Sequence, residues 1–95
     1  MAQNQTKVTC AGGAWTQITN ANVSSITYQA LNGPVYIRFT TDETTPTETT
    51  GLRYESGEGE LNKAISDLTN LVGADRVWAK PVVDSHTILV QVDHA

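Results

Sequence analysis

The feature that most constrains the fold is a strict alternation of side chains in two short runs. In VYIRF, residues 35–39, valine, isoleucine and phenylalanine alternate with Tyr36 and Arg38. In TILVQV, residues 87–92, every second residue is again Ile or Val. Because successive side chains of a strand point to opposite faces, each run predicts a strand with one face in a protein core.

Less regular runs predict four more strands, at residues 5–10, 14–20, 23–31 and 76–83. Asn32-Gly33 predicts a type I′ hairpin, because both residue types tolerate positive φ, and residues 83–86 are expected to turn the last two strands back on each other. Pro81 cannot donate to a ladder, so its strand is expected to bend there or to lie on an edge. The expected fold is a single all-β domain over residues 1–95, a small sandwich or barrel of six to eight short strands.

One segment departs from this period. In ELNKAISDLTNLVG the apolar residues recur at helical spacing, and Gly73 stands where a glycine would end a helix. The pattern predicts a short helix within residues 60–72, with Leu61, Ala64, Ile65, Leu68 and Leu71 on its apolar face. The alternative is a loop with one 3₁₀ turn, because the intervening polar residues are indifferent helix formers.

The composition excludes several partners. With 39% hydrophobic and 17% charged residues, the 95-residue chain is expected to be a soluble globule. Its net charge of -4 argues against nucleic acid and against an anionic membrane surface. No run approaches the roughly 20 apolar residues that cross a bilayer, and the first residues lack the apolar core of a signal peptide. Synthesis and retention in the cytosol are therefore expected.

No motif for chemistry is present in the sequence. The acidic residues lack calcium-loop spacing, and His86 and His94 have no partner at metal-ligand spacing. The single cysteine, Cys10, shares a strand face with Val8 and is expected to be a small buried hydrophobe rather than a reactive thiol. We therefore expect no catalytic residues, no cofactor, no metal and no enzymatic activity.

The stretch TTDETTPTETTG, residues 40–51, contains seven threonines, three acids and a proline but no aliphatic side chain. Burying it would leave many hydroxyl and backbone groups without partners, so it is expected on the surface. The three acids have no basic partner within the stretch. The stretch is predicted to be an exposed loop that caps the surface or an arm that reaches a neighbour, with Thr45 and Pro46 as contact residues.

Two aromatic residues are placed by the alternation on the face opposite the aliphatic row. Tyr36 lies beside Arg38, and Trp78 lies two residues after Arg76. Exposed tyrosine, tryptophan and arginine are typical of protein interfaces. A sugar-binding platform would use the same aromatic rings, and loops covering this face are a further alternative.

The order of these segments resembles a group of small β-rich virion proteins of tailed bacteriophages. The resemblance spans roughly residues 13–95 and is carried by AWTQI, VYIRF, YESGEGELN, ELNKAISDL, RVWAK and the terminal VQVDHA. The threonine-rich stretch is longer than in that pattern.

The resemblance implies a non-enzymatic structural protein of a virion, made in the host cytoplasm, and most closely a head decoration protein that stabilises a capsid. Its partners would be copies of itself and the major capsid protein or another virion protein. A receptor- or carbohydrate-binding module of a phage fibre or tail is the alternative. The contact residues expected for either role are Tyr36, Arg38, Arg76, Trp78, Thr45 and Pro46.

Overall fold

A computed structural model describes residues 4–19 and 23–94, with side chains from Thr6 onward. The described residues form eight strands and one short helix. In chain order these are β1 (Asn4–Ala11), β2 (Thr16–Gln17), β3 (Ser25–Ala30), β4 (Val35–Thr40), β5 (Leu52–Tyr54), β6 (Gly59–Ala64), α1 (Ile65–Leu68), β7 (Arg76–Pro81) and β8 (Thr87–His94). The predicted all-β sandwich is confirmed.

The strands form two four-stranded antiparallel sheets. Sheet I has the order β1-β8-β3-β6, and sheet II has the order β2-β7-β4-β5. The two alternating runs of the sequence, in β4 and β8, therefore lie inside different sheets. Their apolar faces meet across the core, because each half-buried sheet must cover its apolar face with another layer.

The core follows the period-two pattern. Each inner strand buries every second side chain, and the outward neighbours are half-buried or exposed, apart from Trp78, which is described below. The buried inward residues are Cys10, Ile26, Tyr28, Ala30, Val35, Ile37, Val77, Ala79, Ile88, Val90 and Val92. The prediction that Cys10 is a buried hydrophobe is confirmed.

The helix predicted within residues 60–72 is much shorter than expected. Residues 59–64 form β6, and α1 comprises only Ile65–Leu68. The register of β6 against β3 shifts beside Asn62, which has a φ of +50° and whose N–H donates to the Thr27 hydroxyl at 2.7 Å. Residues 59–64 form a strand because they pair with β3, which is distant in sequence. Local periodicity does not reveal such pairing.

The apolar residues of this segment are correspondingly not one buried face. Ile65 is buried, whereas Leu61 is 77% exposed and Leu71 is 48% exposed. Gly73 does not end the helix. It has a φ of +81° in the tight turn that Ala74 closes by donating its N–H to the Leu71 carbonyl.

The prediction of a type I′ hairpin at Asn32-Gly33 is wrong. β3 and β4 belong to different sheets, and neither turn residue has a positive φ. The Asn32 side chain instead accepts a hydrogen bond from the Leu89 N–H at 2.8 Å, which extends the edge of β3 beside β8. A Cβ on Gly33 would lie 2.5 Å from Ile88 Cδ1, so glycine is needed for close packing rather than for its φ.

The last two predicted strands also lie in different sheets, so residues 83–86 connect sheets rather than close a hairpin. β7 is an interior strand, which overturns the edge position suggested by Pro81. The proline is the last residue of β7, where a missing N–H costs the ladder least. Residues 51–60 are rich in glycine and glutamate, yet they contain β5 and the start of β6.

Candidate interaction surface

The threonine-rich loop, residues 41–50, covers part of the outer face of sheet II. It contains no strand, and every residue except the half-buried Pro46 is exposed, which confirms its surface position. It leaves β4 at Thr40 and returns at Gly51, where a Cβ would lie 2.4 Å from the Ile37 carbonyl oxygen. The segment therefore leaves the end of β4 and returns beside the middle of the same strand, so it folds back on its own domain.

The first half of the loop is anchored by Trp78. Its indole Nε1–H donates to the Thr40 hydroxyl at 2.8 Å, and that hydroxyl donates to the Asp42 carbonyl at 2.7 Å. The Thr44 N–H then donates to the Asp42 carboxylate at 2.9 Å. Hydrogen bonds from the Thr44 backbone and side chain, helped by the charge of Arg76, hold the Asp42 pKa below its ordinary value.

The second half is anchored through its backbone carbonyls. The Trp15 indole Nε1–H donates to the Glu48 carbonyl at 2.7 Å. Arg38 donates to the Thr50 carbonyl, and Lys80 Nζ donates to the Thr49 carbonyl at 3.4 Å. Two indoles and two cations therefore fix a loop that has no aliphatic side chain of its own.

The charges of the loop complement the face beneath it. Four of the six basic residues lie on the strands of sheet II, and they are Arg38, Arg53, Arg76 and Lys80. Arg38 lies 3.9 Å from Glu48, and Arg76 lies 3.9 Å from Glu43. Glu43 and Glu48, which have no basic partner within the loop, thus have basic partners on sheet II, although pairs at this distance with an exposed glutamate stabilise little.

The predicted contact residues lie on this same side of the molecule. Tyr36, Arg38 and Arg76 are half-buried on the outward face, and Thr45 and Pro46 lie at the loop tip. Trp78 also points outward, but the expectation that its ring is exposed is wrong. It is 6% exposed, because the loop and its hydrogen bond to Thr40 cover it. Participation of these residues in a subunit contact stays a prediction.

A groove that local sequence patterns do not predict runs beside β4. β5 pairs only with Val35–Ile37, so among the residues that the structure describes no strand lies on that side of the second half of β4. The groove has a volume of about 770 Å³ and lies between residues 50–52 and 67–71. Its apolar lining includes Phe39, Leu52, Leu68 and Leu71, of which Leu52 is 49% and Leu71 is 48% exposed.

A polar chain joins the two sheets away from this groove. The Tyr28 hydroxyl donates to the Tyr54 hydroxyl at 2.9 Å, and the latter donates to Glu60 at 3.1 Å. The two tyrosine rings meet edge to face at 5.3 Å. Burial raises the pKa of Tyr28 and that of Tyr54 above the ordinary tyrosine value, so both donate as neutral phenols.

The Cys10 thiol lies in the core of the sandwich. Burial raises the pKa of the Cys10 thiol to about 11, so it is protonated at neutral pH.

Among the described side chains, no group of three or more His, Cys, Asp or Glu is placed to hold a metal ion. His94 is a buried residue at the end of β8. In the same part of the chain, no helix has the length and apolarity needed to span a membrane.

Comparisons with protein-family models, with curated proteins and with solved structures find no match for this chain. The likeness to phage virion proteins therefore stays a prediction from sequence, and the surface features must carry any functional argument.

Proposed function

We propose that this protein is a non-enzymatic structural component of a phage virion, a head decoration protein that binds capsid subunits through the groove beside β4. The observation that carries the binding role is the groove itself, where the inward side of the sandwich stays open to solvent. The virion assignment comes from the sequence resemblance.

The groove offers apolar surface that a partner can cover. Phe39 and Leu52 lie on core-facing positions of their strands, as their pairing with Val77 and with Ile37 requires, yet Leu52 is half-exposed. Leu71 adds a second half-exposed leucine on the opposite wall, and the adjacent Val72 is 92% exposed. Apolar side chains gathered on one side of a small domain are typical of protein-binding surfaces.

The groove also offers backbone hydrogen-bonding groups. The Asp75 N–H donates to the Thr40 carbonyl at 3.0 Å, so the peptide groups of Thr40 point towards β7. Neighbouring residues of a strand point in opposite directions, which turns the peptide groups of Phe39 towards the groove. An extended partner segment with one or two apolar side chains would therefore find both an apolar floor and a hydrogen-bonding edge.

The burial of Trp78 favours this role over carbohydrate binding. A sugar platform needs an aromatic ring face open to solvent, and Trp78 lies under the threonine-rich loop. A decoration protein has no such requirement. It needs a fixed surface present in many copies, so that modest individual contacts add up on a symmetric shell.

Co-sedimentation with purified empty phage heads tests the proposal. We expect the wild-type protein to pellet with the heads at a fixed stoichiometry, and Leu71→Asp to stay in the supernatant because it places a charge in the groove. Leu61→Asp is the matched control, since Leu61 is an exposed leucine on β6, outside the residues that line the groove.

The outcomes separate the two parts of the proposal. Failure of the wild-type protein to pellet would reject the decoration role. Pelleting of both variants would reject the groove as the contact. Circular dichroism and thermal unfolding of each variant check that the fold is intact, which is expected because neither leucine is fully buried.

A further inference from the structure

The four sheet edges of the molecule differ in how they are protected. At the edges of sheet II, β2 has only two residues and β5 has three. At one edge of sheet I, β6 is interrupted by the register shift at Asn62 and carries Lys63. Short edge strands, bulges and lysines are the devices by which proteins prevent edge-to-edge pairing.

β1 lacks most of these devices. It is eight residues long, pairs with β8 in one unbroken register from Asn4 opposite His94 to Ala11 opposite Thr87, and has no second neighbouring strand among the described residues. Its only charged residue is Lys7, and it contains no proline. A long flat edge of this kind is a template for another strand.

The direction of the free peptide groups follows from the hydrogen bonds of β8. The Leu31 N–H donates to the Leu89 carbonyl at 2.9 Å, and the Leu89 N–H donates to Asn32, so the peptide groups of Leu89 point towards β3. By alternation, those of Val90 point towards β1, where Val8 is its partner. The peptide groups of Lys7 and Thr9 therefore point away from the sheet and are free to pair.

A second copy of the chain fits this edge in one register. Suppose that two β1 strands pair across a twofold axis and that both cores lie on the same side of the joined sheet. The core-facing residues of one strand must then lie opposite core-facing residues of the other. Placing Val8 opposite Val8 of the second copy does this, sets Thr6 opposite Cys10, and sets Lys7 opposite Thr9. A shift of one residue towards the N-terminus would place the two Lys7 side chains opposite each other, which is unfavourable. A shift of one residue towards the C-terminus would place Thr9 opposite Thr9 and shorten the paired segment from residues 5–11 to residues 7–11.

The geometry points to a symmetric dimer in which β1 pairs antiparallel with β1 of a second copy, with Val8 at the twofold axis. Sheet I then becomes one eight-stranded sheet across two molecules. This contact is on a different edge from the groove beside β4 and does not depend on a role in a virion.

Charge variants at Thr9 test the dimer and its register. The Thr9 side chain is exposed on the outward face, so substitution leaves the β1–β8 ladder intact. Opposite Lys7 of the second copy, Thr9→Glu adds two attractive pairs per dimer and Thr9→Lys adds two repulsive ones. We expect dissociation constants from sedimentation velocity that differ by about tenfold, with Glu tighter, and Thr9→Val close to wild type.

Two results would overturn the inference. One is a wild-type protein that stays monomeric over the whole accessible concentration range. The other is a dimer that Thr9→Glu and Thr9→Lys weaken or strengthen alike, since a contact elsewhere on the surface would not distinguish their signs.

A cross-linking experiment tests the position of the axis independently. Val8 faces its copy as a non-hydrogen-bonded pair, in which the Cα atoms are about 4.5 Å apart and a disulfide can form. Val8→Cys should therefore give a disulfide-linked dimer under mild oxidation. Lys7→Cys is the control and should remain uncross-linked, because its neighbour is Thr9. The opposite pattern would reject this register.

Discussion

Two coverings of the same sandwich contrast in how they are held. The threonine-rich loop over sheet II has no aliphatic side chain, yet both its halves are fixed by hydrogen bonds from Trp78, Trp15, Arg38 and Lys80. The segment 65–72 has four aliphatic residues, yet only Ile65 is fully buried. The contrast teaches that the apolar content of a segment does not decide how firmly it is attached. Donors supplied by the underlying strands can fix a polar loop.

The most severe test of this contrast is the removal of Trp78. Trp78→Ala is expected to lower the free energy of unfolding by about 3 to 5 kcal/mol, because it removes a buried ring and releases Thr40 at the start of the loop. Trp78→Phe, which retains most of the ring volume, should cost clearly less. Urea denaturation followed by circular dichroism measures both. A cost below about 1 kcal/mol for the alanine variant would show that the loop does not depend on this ring.

Within the segment 65–72, stability is expected to depend on one residue. Ile65→Ala should lower the free energy of unfolding by about 2 to 5 kcal/mol, because Ile65 is 2% exposed in the core. Leu71→Ala should lower it by only about 1 kcal/mol, because nearly half of the Leu71 side chain is already in water. Similar costs for the two variants in thermal or urea unfolding would contradict the contrast drawn here.

The ion pairs between the loop and sheet II are expected to contribute little. Replacing Glu43 and Glu48 together by Gln should lower the free energy of unfolding by about 0 to 1 kcal/mol, because both glutamates are exposed and each lies 3.9 Å from its arginine. Added salt should reduce the difference between variant and wild type. A loss above about 2 kcal/mol would mean that charge, rather than the indole hydrogen bonds, holds the loop.

The smallest expected effect is a pH dependence at Asp42. Its folded-state pKa is lowered, so its contribution to stability is present above the ordinary aspartate range and is lost as pH falls below about 4. Asp42→Asn keeps an oxygen that can accept from the Thr44 N–H but cannot titrate. The variant should therefore lose less stability than wild type on acidification in thermal melts. If wild type and variant lose stability in parallel as the pH falls, the charge of Asp42 does not anchor the loop.

The sequence alone was sufficient to predict the inward faces of strands that lie inside a sheet. The alternation in β4, β7 and β8 predicts their inward faces, and the exclusion of aliphatic residues from 40–51 predicts a surface loop. These features depend on side-chain pattern alone, because a strand with two neighbours exposes one face to the core whatever its position in the sheet.

The remaining features depend on contacts between distant parts of the chain. β6 looks helical because its apolar residues recur every three or four positions, and only pairing with β3 makes it a strand. Asn32-Gly33 has hairpin chemistry, but its flanking strands enter different sheets. The threonine-rich loop covers Trp78, and the hydrogen bond that anchors it joins Trp78 to Thr40, 38 positions earlier in the chain. The groove appears only because β5 ends early beside β4.

The position of β8 has a consequence for how the protein is made. This strand is the last of the eight along the chain, yet it lies inside sheet I and supplies the hydrogen bonds of both β1 and one side of β3. While the ribosome is still adding residues before Thr87, β1 has no partner within its own sheet. In the nascent chain this eight-residue segment therefore stays unpaired within its sheet until β8 has been synthesised, and the complete sandwich can form only after that.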